Sequence, residues 1–403
     1  MDLEKVFINY KNLYEDFDSF HRSAGNLFVL LRLFQVVSWF QPIFNVFFLK
    51  PNLKLDLPSI EFIFTRNQLN SSRKLNLRSE KICVGVEEKN KQLNSPTHNI
   101  SNLTLLFYGF FYAKNIYAYL VKCKGNNLLE KNSFRVIKLA ILEALIVNSN
   151  SSKVKTLIQY NDHSPYNVLL HNLFSELNIR TVYCQHAPVN TSFPKLYHDI
   201  NLLFSEDSLS KYREIGDINK KFEIIGDIRF WNVICEPNRN NNSKQNKILI
   251  CSNELDCPTS ISKCAKILAE NGYDVIHRKH PADHYNFKES AYVSLSSNQN
   301  IFDDLKECDI VITNQSAVPL ESIFMKKPTY LFRFKNRSGT NFVLDNYNFI
   351  SGGLIKKEFK DLKELLYSIE TKELTYDHKK LSYYLGPISE KPEIRKKLLT
   401  QFT

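Results

Sequence analysis

Two short runs in the C-terminal half of the chain carry side chains suited to binding phosphate. His277–Pro281 (HRKHP) brings two imidazoles and two cations to the end of an apolar run. Asp309–Ser316 (DIVITNQS) ends in amides and a hydroxyl, and the carboxylate of Glu321 follows on a predicted helix. In an open α/β sheet, ligands bind beside the carboxyl ends of the strands. Hydroxyl and backbone N–H groups at a helix start, faced by cationic and imidazole groups, therefore predict a site for the phosphate of a nucleotide-activated donor.

The candidate donor-site residues all lie at predicted strand ends of this half. Taken alone, His280 is an ordinary polar residue at a strand end, and Ser316 is the N-cap of the helix that begins near Val318. Their joint occurrence at successive strand ends favours a phosphate site over these structural alternatives. The predicted site comprises Ser252, Asn253, Lys279, His280, Pro281, Asn314, Gln315, Ser316 and Glu321.

A second group of polar residues follows two predicted strands of the N-terminal half. Asp162 is the candidate general base, because a carboxylate at a strand end facing the cleft can deprotonate an acceptor hydroxyl. Its structural alternative is the N-cap of the helix after Pro165, and the sequence leaves both roles open. His163, Gln185 and His186 are candidate contacts to the acceptor or to phosphate.

Strands alternating with helices are predicted to position these residues. After a helical and irregular stretch up to residue 80, the N-terminal half has predicted strands over 81–86, 155–160, 180–184, 201–204 and 222–225, with 103–108 as a further candidate. Its predicted helices cover 133–147 and 165–177. The other half has predicted strands over 247–251, 273–276, 310–313 and 329–332, and helices over 258–270 and 318–325. Strands separated by helices of this length indicate parallel βαβ units.

An Asn-rich polar segment over residues 237–246 divides the two series of elements. It predicts a linker between an N-terminal domain over 1–236 and a C-terminal domain over 247–403, whose last helix is a candidate to pack back on the first domain. The predicted fold class is α/β. Two Rossmann-like, doubly wound domains would face a central cleft, with an extra helical segment near the N-terminus.

Composition and missing motifs narrow the classes of partner and reaction. The 403 residues carry a formal net charge of +11, but zinc-finger spacing and basic helices are absent, so nucleic acid is not an expected partner. The motifs GxGxxG, GxxxxGKS or GxxxxGKT, HExxH and GxSxG are also absent, which disfavours dehydrogenases, P-loop NTPases and the commonest hydrolases. The eight cysteines form no CxxC pair and no Asp-x-Asp pair lies near the cleft motifs, so we predict neither a metal nor a cofactor.

The segment over residues 26–49 is long and apolar, and Arg32 is its single charge. Gln35, Gln41 and Pro42 favour two shorter pieces, buried or lying at a membrane interface, over one bilayer span. The first residues lack the basic region and apolar core of a signal peptide. We therefore expect a cytoplasmic protein, and peripheral attachment to the inner face of the plasma membrane is a candidate role for this segment.

Four motifs, taken in order, resemble those of bacterial glycosyltransferases of the GT-B type. They are Gln185–Pro188 (QHAP), Gly226–Arg229 (GDIR), Lys279–Pro281 (KHP) and the helix start at Ser316 with Glu321. The pattern is similar to that of capsule and lipopolysaccharide transferases, including Kdo-, sialyl- and polysialyltransferases. More distantly, it resembles teichoic-acid polyol-phosphate transferases.

The resemblance implies a nucleotide-sugar donor, with CMP-Kdo or CMP-sialic acid favoured, and an oligosaccharide or glycolipid acceptor in bacterial cell-surface polysaccharide synthesis. By position, it implies that His280 and Ser316 contact the donor phosphate, that Glu321 faces the nucleoside, and that Asp162 acts as the base. An acceptor hydroxyl would then attack the anomeric carbon while Lys279, His280 and Ser316 stabilise the departing phosphate. Three alternatives stay open: a CDP-polyol phosphotransferase, a UDP-sugar-dependent transferase or epimerase, and a non-catalytic polysaccharide-binding subunit of a synthase.

Overall fold

The computed structural model describes residues 27–47, 55–75, 77, 79–86, 96–124, 133–148, 153–162, 165–189, 193–231, 233, 247–281, 283, 285, 287, 289–298, 300–337 and 347–388. These residues form two α/β halves, each built on its own parallel sheet. The predicted linker over 237–246 lies outside the described residues. The predicted fold class, two Rossmann-like doubly wound units, is confirmed.

A seven-stranded parallel sheet organises the first half. Its strands are β1 Ser59–Ile63, β2 Glu80–Val84, β3 Thr97–Ile100, β4 Thr156–Gln159, β5 Arg180–Cys184, β6 Ile200–Leu203 and β7 Lys221–Ile224. The spatial order is β3-β2-β1-β4-β5-β6-β7, so the direction of the chain across the sheet reverses between β1 and β4. In doubly wound sheets this reversal opens a crevice at the carboxyl ends of the two strands.

Seven helices lie in the described part of the first half. They are α1 Leu27–Phe47, α2 Arg66–Leu75, α3 Asn102–Phe111, α4 Ala113–Cys123, α5 Ser133–Asn148, α6 Pro165–Glu176 and α7 Glu206–Ile215. Helices α1, α3, α4 and α5 form a layer whose buried residues, such as Leu30 and Phe34, share one core with Phe62 of β1 and Ile82 of β2.

A six-stranded parallel sheet organises the second half. Its strands are β8 Lys247–Cys251, β9 Asp274–Arg278, β10 Ser294–Leu295, β11 Ile310–Thr313, β12 Thr329–Phe332 and β13 Glu358–Phe359, in the order β10-β9-β8-β11-β12-β13. The reversal here lies between β8 and β11. The accompanying helices are α8 Pro258–Glu270, α9 Ile301–Glu307, α10 Val318–Phe324, α11 Leu362–Glu370 and α12 Leu381–Leu385.

Segments that follow the carboxyl ends of strands join the two halves. Helix α12 contacts α7 of the first half, and the Asp227 N–H donates to the Leu385 carbonyl at 2.7 Å. Gly226 (φ 79°) and Gly386 (φ 68°) both adopt the left-handed region at this contact. A β-carbon on Gly226 would lie 2.9 Å from the Pro387 carbonyl oxygen, and one on Gly386 would overlap a main-chain carbonyl of the first half. Glycine is therefore required at both positions.

The first correction to the sequence predictions concerns β1. The stretch up to residue 80 was predicted to be helical and irregular, yet Ser59–Ile63 is an interior strand of the first sheet, between β2 and β4. Glu61 in the middle of this strand breaks the apolar pattern that marks a buried strand. Its carboxylate is fully buried and is satisfied by the hydroxyls of Ser79 and Tyr160, the latter at 3.0 Å from Oε2.

The second correction concerns residues 103–108, a candidate strand that instead lies within helix α3. Ser101 caps this helix by accepting a hydrogen bond from the Thr104 N–H at 2.9 Å. The exposed large apolar residues lie at 103, 106, 107 and 110, which is helical spacing rather than the alternation of a strand.

The third correction concerns the segment over residues 26–49, which was predicted to divide at Pro42. Helix α1 instead continues through Pro42 to Phe47. The neighbouring Gln41 anchors it, because its amide donates to the Phe111 carbonyl and accepts from the Lys114 N–H, both at 2.7 Å. Across the described ranges, no helix combines the length and the apolar character needed to cross a membrane.

Candidate functional site

The loops that follow β8 and β11 meet at the reversal point of the second sheet. Thr313 pairs with Cys251 at the ends of these neighbouring strands, so the residues that follow lie side by side. The Asn253 side-chain amide donates to the Gln315 carbonyl at 3.2 Å and ties the two loops together. The cluster so formed contains five of the predicted donor-site residues: Ser252, Asn253, Asn314, Gln315 and Ser316.

Asp256 holds this cluster together, although it was not among the predicted site residues. Its Oδ2 accepts from the Asn253 N–H and its Oδ1 from the Asn314 side-chain amide, both at 2.6 Å. Burial raises the pKa of Asp256 to about 6, and the two hydrogen bonds oppose that shift. Asp256 lies in a loop five residues after β8, where no periodic pattern distinguishes a buried aspartate from an exposed one.

The side chains of Ser316 and Gln315 differ in how they are satisfied. Ser316 Oγ accepts from the Val318 N–H at 3.2 Å and lies 3.1 Å from Thr313 Oγ1. It thus supports the start of α10, although the N-cap residue itself is Ala317. Gln315 Oε1 is buried without a hydrogen-bond partner. Because a buried unpaired acceptor is costly, this oxygen is a candidate acceptor for a hydrogen bond from a ligand.

The first two residues of the HRKHP run, His277 and Arg278, form contacts inside the protein. His277 is buried with its Nε2 2.8 Å from Ser252 Oγ, and burial lowers the pKa of this imidazole to about 4. Arg278 forms an ion pair with the buried carboxylate of Asp304 and donates to the Asn298 carbonyl at 2.9 Å. Of the two imidazoles and two cations expected at this strand end, one of each therefore has a structural role.

The remaining three residues of the run lie beyond the end of β9 and are accessible. Lys279 and Pro281 are exposed, and His280 is partly exposed beside the reversal-point cluster. His280 Nδ1 lies 3.8 Å from Glu254 Oε2, in the loop that follows β8. The structure thus places His280 next to the β8 loop.

Glu321 is directed towards the first half of the molecule. Its Oε1 accepts from Arg229 Nη1 at 2.8 Å, while its Oε2 is buried without a hydrogen-bond partner. Arg229 also grips Asp227 through Nε and Nη2, at 3.0 and 2.6 Å from Oδ2. Burial raises the pKa of Glu321 to about 7 despite the attraction of the guanidinium. Arg229 was noted in the GDIR motif but was not among the predicted site residues.

Asp162 follows β4, at the reversal point of the first sheet, and only 1% of its surface is exposed. The Tyr212 hydroxyl donates to its carboxylate, and the Tyr197 hydroxyl donates to its main-chain carbonyl. Burial, and then the nearby Asp162 carboxylate, raise the pKa of the Tyr212 phenol well above its usual value. Tyr212 therefore stays protonated and fixes the orientation of the candidate base.

The three residues predicted to contact the acceptor or phosphate, Gln185, His186 and His163, differ in their exposure and in whether the structure describes them. Gln185 is fully buried; its amide nitrogen donates to the Ala187 carbonyl and to Ser208 Oγ, and its oxygen accepts from the Phe204 N–H at 2.7 Å. These bonds give it a structural role between β5 and β6. His186 is partly exposed next to it, and His163 lies outside the described residues.

In the described parts of the chain, no group of three or more His, Cys, Asp and Glu side chains is placed to hold a metal ion. The candidate site consists of a hydrogen-bonding loop cluster with accessible Lys279 and His280 in one half, and the oriented carboxylate of Asp162 in the other. The Arg229 bridge and helix α12 join the carboxyl-terminal edges of the two sheets.

Comparison with known proteins supports the fold. No protein-family model and no curated protein matches this chain. A variant of the wall teichoic acid polymerase TagF with CDPG aligns with a TM-score of 0.53 and 11% identity, over 93% of this chain and 97% of the other. A second TagF variant aligns with a TM-score of 0.52 and 10% identity, over 94% of this chain and 98% of the other. The glycosyltransferase of kitacinnamycin aligns with a TM-score of 0.50 and 11% identity, over 86% of this chain and 96% of the other.

At these identities the likeness concerns the fold alone. The two halves have the arrangement of GT-B glycosyltransferases, in which two Rossmann-like domains meet along the carboxyl edges of their sheets.

Proposed function

We propose that the protein is a glycosyltransferase that moves a sugar from a nucleotide-activated donor to a saccharide hydroxyl. The observation that carries the proposal is the loop cluster at the reversal point of the second sheet, beside accessible Lys279 and His280. Crevices at such points are the usual ligand sites of doubly wound sheets. Amide, hydroxyl and cationic groups suit the phosphate of a nucleotide.

The donor phosphate would lie between the β8 and β11 loops. Lys279 would supply positive charge, and His280 and Ser316 would donate hydrogen bonds to the leaving phosphate. Such groups, fixed before reaction, stabilise charge that develops as the bond to the anomeric carbon breaks. This leaving-group stabilisation would need no metal. Glu321, whose Oε2 has no hydrogen-bond partner, would accept a hydroxyl of the nucleoside.

Asp162 would act as the general base towards the acceptor hydroxyl. Its carboxylate is fixed by Tyr212 at the reversal point of the first sheet, the position from which a cleft-bound acceptor would be reached. Because only 1% of Asp162 is exposed, acceptor binding would have to open access to the carboxylate. His186 and His163 would contact the acceptor or the phosphate, whereas Gln185 would support the β5–β6 edge.

The finer assignment is cell-surface polysaccharide synthesis in bacteria, with a CMP-linked sugar such as Kdo or sialic acid as donor. The resemblance of the QHAP, GDIR and KHP motifs to capsule and lipopolysaccharide transferases supports this assignment. The acceptor would be an oligosaccharide or glycolipid. The protein would work in the cytoplasm, attached to the inner face of the plasma membrane where such acceptors are built.

A second candidate function is transfer of a polyol phosphate from a CDP-linked donor. It is favoured by the TagF structure with CDPG, whose fold this chain shares over most of its length. The same phosphate-binding groups would then serve attack at phosphorus instead of carbon. CMP is the leaving group both from a CMP-sugar and from CDP-glycerol, so the released nucleotide does not separate the two candidates. Binding of intact CDP-glycerol is specific to the second.

The test is ligand-induced thermal stabilisation of the purified protein with CMP, CDP, UDP, GDP and CDP-glycerol in separate samples. A ligand that binds only the folded state at about 100 times its Kd adds about 2.7 kcal/mol, which corresponds to a shift of roughly 3 °C for a chain of 403 residues that unfolds as one unit. Ser316→Ala should reduce the shift, whereas Ser351→Ala, an exposed serine of the same half, should leave it unchanged.

Each outcome of this test points to one conclusion. Stabilisation by CMP without a further gain from CDP-glycerol supports sugar transfer from a CMP-linked donor. A clear preference for CDP-glycerol supports polyol-phosphate transfer, and a preference for UDP moves the donor to the UDP-sugars. No stabilisation by any of these ligands overturns the enzyme proposal and favours a polysaccharide-binding subunit.

A further inference from the structure

Helices α1 and α3 expose a continuous set of large apolar side chains. On each helix these residues recur three or four positions apart and so form one stripe. Each helix also buries apolar residues in the core, such as Leu30 of α1 and Leu105 of α3. We call the exposed set the α1–α3 face; it consists of Leu33, Val36, Trp39, Phe40, Leu103, Leu106, Phe107 and Phe110.

A groove runs between the two helices within this face. Its volume is about 680 Å³, and its walls come from Leu33, Phe34, Val37, Leu103, Thr104, Leu106, Phe107 and Phe110. Thr104 is the one polar residue among them, and its hydroxyl is already 2.8 Å from Ser101 Oγ. A nucleotide or a sugar would give up its hydrogen bonds to water in such a groove without gaining others. A hydrocarbon chain makes no hydrogen bonds to water and so pays no such cost.

The net positive charge in the sequences of the four helices of this layer indicates what covers the face. The sequences of α1, α3, α4 and α5 contain five basic residues and a single acidic one: Arg32, Lys114, Lys122, Arg135 and Lys138 against Glu143. A surface of anionic lipids attracts such a layer, whereas a second copy would bring like charges together. Trp39 is 67% exposed, and an indole combines an apolar body with one polar N–H, which suits the membrane interface.

We propose that the α1–α3 face docks on the surface of an anionic bilayer, with lipid acyl chains filling the groove. The face lies flat on the membrane, because α1 packs along α3 and α4 instead of projecting from the domain. This assigns the membrane attachment of the proposed function to particular residues and rests on that function only for its cellular setting. Binding to lipid requires neither donor nor acceptor, so the docking and the transferase activity can fail independently.

The test is binding of the purified full chain to vesicles of phosphatidylcholine alone and of phosphatidylcholine mixed with phosphatidylglycerol. Leu106→Glu places a charge in the wall of the groove. Leu374→Glu is the matched control, since Leu106 and Leu374 are both 59% exposed but Leu374 lies in the second half. Because both positions are exposed, both variants should keep the thermal stability of the parent protein.

We expect the parent protein and Leu374→Glu to bind the phosphatidylglycerol vesicles, and Leu106→Glu to bind them at least about tenfold more weakly. Binding to phosphatidylcholine alone should be weaker than to the mixture. Equal binding by the two variants, or no vesicle binding by the parent protein, would overturn the proposal. A parent dimer that Leu106→Glu converts to a monomer, without vesicle binding, would identify a second copy as the occupant and would overturn it as well.

Discussion

Arg229 Nη1, in the turn after β7, lies 2.8 Å from Glu321 Oε1 on the helix that follows β11. The same guanidinium grips Asp227, and the Lys74 ammonium donates to the Arg229 carbonyl at 2.8 Å. One cation thus joins a carboxylate from each half of the molecule. Because Glu321 lies five residues after Ser316, the bridge links the candidate phosphate loop to the opposite domain.

Replacing Arg229 by leucine leaves two buried carboxylates without their cation. Uncompensated buried charge is strongly destabilising, so we expect Arg229→Leu to lower the free energy of unfolding by about 3 kcal/mol or more in urea denaturation. Arg333→Leu is the control, because Arg333 pairs with Glu358 inside the second half. Only Arg229→Leu should separate the unfolding transitions of the two halves. Identical, unsplit transitions in both variants would show that the bridge does not couple them.

The raised pKa of Glu321 predicts a pH dependence of stability with a definite sign. In the folded protein this carboxyl has a pKa of about 7, against 4.5 as its ordinary value, so the folded state binds more protons between these two pH values. Its contribution to stability therefore falls as pH rises from about 4.5 to 7 and is constant above.

Glu321→Gln removes this contribution, which makes it the reference for the measurement. The free energy of unfolding of the parent protein minus that of Glu321→Gln should decrease across this pH interval, by at most about 3 kcal/mol. Parallel pH profiles for the two proteins would mean that Glu321 is ionised with an ordinary pKa. A difference that grows with pH would require a lowered pKa instead.

Asp162→Asn removes the candidate base but keeps the hydrogen bond from the Tyr212 hydroxyl. Asparagine keeps an oxygen that accepts from the Tyr212 hydroxyl, so the melting temperature should change little. If Asp162 deprotonates the acceptor, turnover with the donor identified by thermal stabilisation should fall about 10²- to 10⁴-fold, while nucleotide affinity stays the same.

Tyr212→Phe is the companion variant for this position. It retains the carboxylate but removes the hydroxyl that orients it, so the expected loss of turnover is smaller than for Asp162→Asn. Full turnover by Asp162→Asn would exclude a general-base role for this residue.

Gln185→Leu separates a structural from an acceptor-binding role. The substitution leaves the buried Phe204 N–H without an acceptor, and we expect a loss of about 1–3 kcal/mol in the free energy of unfolding. The KM for the acceptor should not change once the variant is compared at a temperature where it is folded. A rise in KM with unchanged stability would instead place the amide in contact with the acceptor.

The sequence predicts the second half better than the first, for physical reasons. Strands β8, β11 and β12 are continuous apolar runs bounded by polar residues, and their predicted bounds are those of the structure. Strand β1 carries Glu61 at its centre. Its partners, Ser79 and Tyr160, are distant in sequence, so no local pattern reveals that the carboxylate is satisfied and buried.

The site shows the same division between local and long-range information. Polar residues directly after β8 and β11 could be predicted, because the strand ends themselves were visible. The direction in which each side chain points could not be predicted. His277 and Arg278 belong to the same run as His280, yet they contact Ser252 and Asp304 on other elements. Asp256 and the Arg229–Glu321 bridge likewise depend on contacts between distant segments.

Helix α12 packs on the first half, although it follows every strand of the second sheet in the chain. Roughly 160 residues separate Asp227 from Leu385, whose main chains are hydrogen-bonded. On a ribosome that adds about 5–20 residues per second, the interval between the two is roughly 10–30 s. During that time the nascent first half carries an uncovered surface around Phe204 and Gly226, so its cotranslational folding ends only when a much later segment arrives.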